Sequence, residues 1–237
     1  MRILSLIHQH DAPAGVFGDV VRELGHELDE ASLALDRRPP RDPHEYDAVM
    51  VFGGGMNVDE EQKHPWLRDE KALLRDLVER ERPVIGVCLG AQLVAEAAGG
   101  RVERMDVAEI GWREVDLTPE ASGDPLFETL PRTFTGFKWH SYRFDTPPGA
   151  TELATSASGL QAYRLDGAPV WGIQFHAEAT AATLDTWVRT HTRQADARAA
   201  HVDPEQLAAQ NEREIGRWNE IGRTLCGRFI EAAARRP

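Results

Sequence analysis

The first hundred residues alternate short, β-branched apolar runs with stretches of helical periodicity, and few architectures accept that alternation. A strand that is followed by a helix and then by another strand returns to its sheet in parallel, through a right-handed crossover, so the pattern predicts an α/β domain. Strands are predicted at 2–7, 27–31, 47–52 and 83–87, the second being the weakest. Residues 16–24 read as a helix closed by Gly25, and 65–81 as a longer one. In the longer helix Trp66, Leu67, Leu73, Leu74, Leu77 and Val78 recur at helical spacing with charged residues on the other face, so one side should lie on the sheet. RRPPRDP at 37–43 predicts a surface loop, because its three prolines remove amide donors and restrict their predecessors.

From 101 to 175 the pattern shifts to short alternating segments at 110–117, 133–138, 152–156, 160–165 and 170–175, which predict mostly antiparallel strands and a final central one. Beyond Ala179 the chain is helical again. Asp203 suits an N-cap, Pro204 suits the first helical position, and Leu207, Asn211, Ile215, Trp218, Leu225 and Phe229 continue one stripe, as two helices or as one bent near Gly222. The fold class is therefore α/β: a mostly parallel, twisted central sheet flanked by helices, with a small antiparallel sheet and C-terminal helices. Residues 1–190 are expected to form the main α/β domain, and 191–237 a helical extension packed on it.

At 237 residues and 41% hydrophobic content the chain can bury a sizeable core. Asp and Glu outnumber Lys and Arg by 39 to 27, and the net charge of -12 repels phosphate backbones, so no nucleic acid partner is expected. No stretch approaches the roughly 20 apolar residues of a membrane span. The start, MRILSLIHQHD, turns polar too soon for a signal peptide, so a cytoplasmic protein without membrane contact is expected. Cys88 and Cys226 form no CxxC, which indicates neither a disulfide framework nor a zinc ribbon.

Gly86-Val87-Cys88-Leu89-Gly90 has the G-x-nucleophile-x-G form of a nucleophile elbow and lies between a predicted strand and a predicted helix. The glycines let neighbouring backbone approach, and the following helix N-terminus favours a thiolate. Taken alone, the pentapeptide is equally compatible with a buried thiol at a strand end. VWGIQFHAEAT at 170–180 delivers His176 and Glu178 at a strand exit, where a base and its orienting acceptor point the same way. A histidine that caps a strand and a glutamate that opens a helix would read alike. FGGGMNV at 52–58 exposes amide groups that can face an oxyanion together with the amide of Leu89; a flexible turn is the alternative, and no Gly-Lys-Ser/Thr follows to make a phosphate loop.

The ordered set of glycine turn, G-x-C-x-G-x-Q and H-x-E resembles the class I (triad) glutamine amidotransferase family over about residues 2–189. The chain is most similar to the stand-alone type that resembles the amidotransferase part of GMP synthase. The resemblance implies a flavodoxin-like amidotransferase fold and a glutaminase site, in which Cys88 attacks the γ-carbonyl of glutamine, His176 serves as base and then acid, and Glu178 holds His176. It places oxyanion donors on Gly54, Gly55, Met56 and Leu89. It assigns substrate contact to Gln92 and, through FKWHSYRFDTPPGA, to Trp139, Ser141 and Tyr142. Read without the family, Trp139, His140 and Tyr142 are polar-tipped aromatics on a loop after a strand.

Three departures stand out. Gly55 occupies a position where many members have Pro, Ala177 replaces the Pro of H-P-E, and Ser141-Tyr142 stand where close relatives show Gly-Asp. The first two loosen backbone that the family holds stiff. His8-Gln9-His10-Asp11 is a loop at the sheet's carboxyl edge rather than a metal site, with His10 or Asp11 able to shape a pocket. Asp59-Glu60-Glu61 reads as a solvated face or a first helical turn, and Cys226 as a packed thiol. No metal or cofactor is expected.

Three functions stay open at this point: a glutaminase that hands ammonia to a separate synthase subunit, a self-sufficient hydrolase of γ-glutamyl conjugates, and a degenerate binding or thiol-sensing module. A small-molecule substrate and a homo-oligomer are both compatible with the sequence.

Overall fold

The computed structural model describes residues 1–235; residues 236 and 237, which close the predicted extension, lie outside the described residues. The strands are β1 (Arg2–Leu6), β2 (Glu27–Ala31), β3 (Ala48–Val51), β4 (Val84–Val87), β5 (Val102–Leu117), β6 (Thr133–Phe144), β7 (Ala150–Ser156), β8 (Gly159–Leu165) and β9 (Val170–Ile173). They form a single sheet in the order β2-β1-β3-β4-β9-β8-β7-β5-β6. The first five in that order are mutually parallel, and the remaining pairings are antiparallel.

The predicted small antiparallel sheet is therefore not separate. Strand β8 pairs with β9, Ala162 opposite Ile173, and continues the main sheet. This pairing supplies partners for the second edge of β9, whose amides would otherwise be buried and unmet. A second correction concerns Trp139, His140 and Tyr142, expected on a loop: all three lie in β6, opposite Ile110, Glu109 and Arg104 of β5. A register shift between Arg104 and Glu109 keeps the two long strands paired through a charged stretch that shows no alternation.

The helices are α1 (Gly15–Glu23), α2 (Trp66–Glu79), α3 (Leu89–Ala97), α4 (Ala181–His191), α5 (Ala195–Ala199) and α6 (Pro204–Ala234). Alternate strand residues feed two cores. Ile3, Met50 and Ile85 meet Phe17 of α1, Leu184 of α4 and Phe229 of α6 on one face. Leu4, Val49 and Val84 meet Leu67 and Leu74 of α2 and Leu93 of α3 on the other. Of the two C-terminal arrangements expected, the structure has one continuous helix: α6 is 31 residues long, begun by Pro204 and capped by Asp203, whose carboxylate accepts from the amides of Glu205 and Gln206. Gly222 lies within it, its missing side chain turned against the carbonyl of Ala177. No helix among the described residues is long and apolar enough to cross a membrane.

Because β1, β3, β4 and β9 run side by side in parallel, the segments that leave their carboxyl ends lie together: residues 7–11, 52–57, Cys88 and 174–178. In open α/β sheets this edge is where ligands bind.

Candidate active site

Cys88 stands between β4 and α3 with φ 54° and ψ −110°, a backbone state that costs a non-glycine residue on the order of 1–3 kcal/mol. Its amide donates to the Ile173 carbonyl at 2.8 Å, tying the turn to β9. The flanking glycines are sterically required. A Cβ on Gly86 would lie 2.5 Å from the Gly90 carbonyl oxygen, and one on Gly90 would lie 2.0 Å from that of Val51. Cys88 is 6% exposed; its thiol donates weakly to the Trp139 carbonyl at 3.7 Å, and the residue borders a cavity of about 210 Å³.

His176 leaves the end of β9, with its amide donating to the Phe137 carbonyl at 2.9 Å. Its Nδ1 bonds Glu178 Oε1 at 2.8 Å, and both side chains are 3% exposed. Trp187 packs edge-on against the ring at 4.7 Å, and a Cβ on Gly53 would reach to 2.9 Å of its Cε1. Burial works against a charged imidazole here, yet the Glu178 carboxylate and then Cys88 outweigh it and raise the His176 pKa well above the ordinary value. With Nδ1 committed to Glu178, Nε2 is the ring nitrogen left for Cys88.

The loop 176–179 is gripped from behind by α6. Trp218 Nε1 donates to the His176 carbonyl at 2.8 Å, and Asn219 Nδ2 donates to that of Ala179 at 2.8 Å. Between them, a Cβ on Gly222 would stand 2.0 Å from the Ala177 oxygen. The looseness expected from Ala177 is thus offset by packing from α6. The Val16 amide completes the grip by donating to the Glu178 carbonyl at 2.9 Å.

The amides of Gly54 and Leu89 have no acceptor among the described residues. That of Gly55 differs from the expectation: it already donates to Gln9 Oε1 at 2.8 Å. Met56 contributes to the cavity wall. Gln92 is buried, and its Nε2 donates to the Tyr142 carbonyl at 3.2 Å and to Gln174 Oε1 at 3.1 Å, so it braces β6 against the exit of β9 while bordering the cavity. Trp139 and Ser141 face the cavity, and the Tyr142 hydroxyl donates to the Asp59 carboxylate at 3.0 Å.

Sequence reasoning missed the outer wall. Trp187, His191, Gln194 and Asp196 border the same cavity, so its lining crosses the expected boundary at 190. Nothing local in that segment signals the role. His191 is held by Asp11 at 2.8 Å, and Asp196 by Arg104 at 2.6 Å. Also missed was a charged cluster behind β6, in which Glu109 meets the Lys138 ammonium at 3.0 Å, His140 Nε2 at 3.1 Å and the Ser158 hydroxyl. Burial pushes the Glu109 carboxyl up, but His140, Ser158 and Lys138 together bring it down to about 2. His8 turns inward to Glu70 and the Gly53 carbonyl, and among the described residues no group of three His, Cys, Asp or Glu side chains is arranged to hold a metal ion. Cys226 is buried against the Phe17 carbonyl, and burial drives its thiol far above the usual range.

The fold and this site define a cysteine-centred α/β protein with an elbow, a paired histidine and open amides. The chain belongs to the class I glutamine amidotransferase family, whose family model matches residues 19–191. It is 29% identical over 197 residues to the glutamine amidotransferase-like protein YfeJ of Salmonella typhimurium, covering 82% of each chain. It is 30% identical over 131 residues to one subunit of the glutamine-hydrolysing GMP synthase of Thermococcus kodakarensis, covering 54% of this chain and 65% of that one. A crystal structure of a glutamine amidotransferase from Thermotoga maritima superposes with a TM-score of 0.87 at 30% identity, covering 98% of both chains.

Proposed function

We propose that the protein hydrolyses the γ-amide of glutamine or of a small γ-glutamyl amide through Cys88, His176 and Glu178. The observation that carries this reading is the buried His176–Glu178 pair set against a thiol on a strained elbow that opens into a cavity. In the proposed reaction His176 Nε2 takes the proton of Cys88, and Sγ adds to the γ-carbonyl carbon. The developing oxyanion meets the Gly54 and Leu89 amides, while Met56 shapes that side of the cavity. The C–N bond breaks as His176 passes its proton to the departing nitrogen, leaving a γ-glutamyl thioester. Water, deprotonated by His176, then adds to the thioester, glutamate leaves, and the proton returns to sulfur. Glu178 keeps the imidazole oriented and stabilises its charged form.

Gln92, Trp139, Ser141 and Tyr142 would surround the glutamyl part. A volume of about 210 Å³ lies below the roughly 300–1,000 Å³ of drug-sized ligand sites, which favours a single amino-acid-sized substrate. Ammonia release to a separate synthase chain is supported by the relative that is itself one subunit of a GMP synthase. A second variant, a self-sufficient γ-glutamyl hydrolase acting on a conjugate, is favoured by the outer wall, where Trp139 and Trp187 add apolar ring surface to the cavity lining.

The test is to incubate the pure protein with glutamine, γ-glutamyl amides and γ-glutamyl dipeptides, and to measure glutamate together with ammonia or amine. Release from glutamine selects the first variant, and release from conjugates alone selects the second. Silence on all of them, with Cys88 unreactive toward diazo-oxo-norleucine, refutes both and leaves a thiol-sensing module.

A further inference from the structure

His8 and Gln9 follow β1 and reach the glycine turn from two sides. His8 Nδ1 lies 3.2 Å from the Gly53 carbonyl oxygen, and its Nε2 lies 2.8 Å from Glu70 Oε1. The ring is buried, stacks on Trp66 at 5.4 Å, and comes so near the turn that a Cβ on Gly54 would stand 2.8 Å from His8 Cβ. Gln9 Oε1 accepts from the Gly55 amide at 2.8 Å. The residue between the two held peptide groups is Gly54, whose amide has no acceptor among the described residues.

Three consecutive glycines carry no side chains and have more backbone freedom than any other tripeptide. An oxyanion donor is effective only when its N–H is aimed before charge develops. We propose that His8, fixed by Glu70, and Gln9 are positioning residues that clamp the turn 53–55 and aim the Gly54 amide at the oxyanion. This rests on the amide-hydrolase reading above. Both ring nitrogens of His8 lie against oxygen atoms, an arrangement that suits the charged, doubly protonated ring. Burial opposes that charge, and the Glu70 carboxylate overcomes it. Removing the Glu70 side chain therefore leaves the ring without the partner that fixes its direction.

Two variants test the clamp. Gln9→Met keeps side-chain length without an oxygen acceptor. Glu70→Leu removes the carboxylate that holds Nε2, whereas an amide there could donate to Nε2 and leave Nδ1–H on the Gly53 carbonyl. For the amide that wild type hydrolyses best, each variant should lose on the order of ten- to a hundredfold in kcat while KM moves less than about threefold. Alkylation of Cys88 by iodoacetamide should stay within about twofold of wild type. That reaction displaces iodide from a saturated carbon and forms no oxyanion, so it reports on the thiol alone. A kcat within about twofold of wild type in both variants overturns the proposal, and so does alkylation that falls in step with kcat. Wild type silent on every amide refutes the parent reading, and this one with it, before any substitution is made.

Discussion

The indole Nε1 of Trp218 donates to the main-chain carbonyl of His176 at 2.8 Å, so a residue of the C-terminal helix bears directly on the backbone of the histidine that faces Cys88. Phe134, Phe175 and Trp112 pack around the same indole, which leaves its N–H little choice of direction. Trp218→Phe keeps much of the ring and leaves the His176 carbonyl unmet. The expected outcome is a loss of about 1–3 kcal/mol in urea unfolding and a several-fold drop in kcat on the preferred amide. Equal kcat for the two proteins would show that the loop holds itself.

Cys88→Ala should abolish turnover while changing stability by less than about 1 kcal/mol, since only the sulfur is removed. Cys88→Gly should also be inactive but more stable than the Ala variant by about 1 kcal/mol, because φ 54° costs a Cβ and not a glycine. Urea midpoints of the two variants provide the comparison, and an Ala variant at least as stable as the Gly variant would rule out strain at the elbow.

Glu178→Gln should leave a measurable rate, lower by on the order of 10²-fold or more, because an amide orients the imidazole without stabilising its charge. The sign of the pH effect follows from the raised His176 pKa. Stability gained by the charged ring is fully present below the unfolded histidine value of about 6.5 and is lost as pH rises through the higher folded value. The gap in urea stability between wild type and Glu178→Gln should therefore be widest near about pH 6 and close toward alkaline pH. The alkaline limb of kcat should move to lower pH in the variant.

Glu109 obeys the opposite sign. Its carboxyl, brought from an ordinary 4.5 to about 2, contributes on the order of 3 kcal/mol above the unfolded value of about 4.3, and this is lost as pH falls through the folded value. Glu109→Gln should be strongly destabilised near neutral pH, where it leaves the Lys138 ammonium buried and unpaired. The deficit should shrink between about pH 5 and pH 2. A deficit that is constant with pH would show that the effect is packing alone.

The parallel half of the sheet was legible mainly through β3, β4 and β9, which are short apolar runs rich in β-branched residues, and least through β2, whose ELDEA has none; the elbow was legible because Gly86 and Gly90 have no substitute at their contact distances. Strand β6 past Lys138 was not, since FKWHSYRF mixes aromatics and cations without alternation, and its pairing depends on a shift in β5. The stripe on α6 was legible as a buried face, but the spacing of Trp218 does not name the carbonyl it meets. His8–Glu70 spans 62 residues and joins a loop to a helix, a pairing that no local pattern encodes. A still longer separation, 92 residues, hid the outer wall, where Asp196 meets Arg104.

The grip of α6 on loop 176–179 also has a consequence for biosynthesis. The thiol, the glycine turn and the sheet that carries them are translated well before Trp218, Asn219 and Gly222. At roughly 5–20 residues per second, Cys88 precedes that helix by on the order of ten seconds. During that interval the nascent chain holds the Cys88 thiol while the His176 loop has no backing, so the arrangement proposed for catalysis is completed only with the helix.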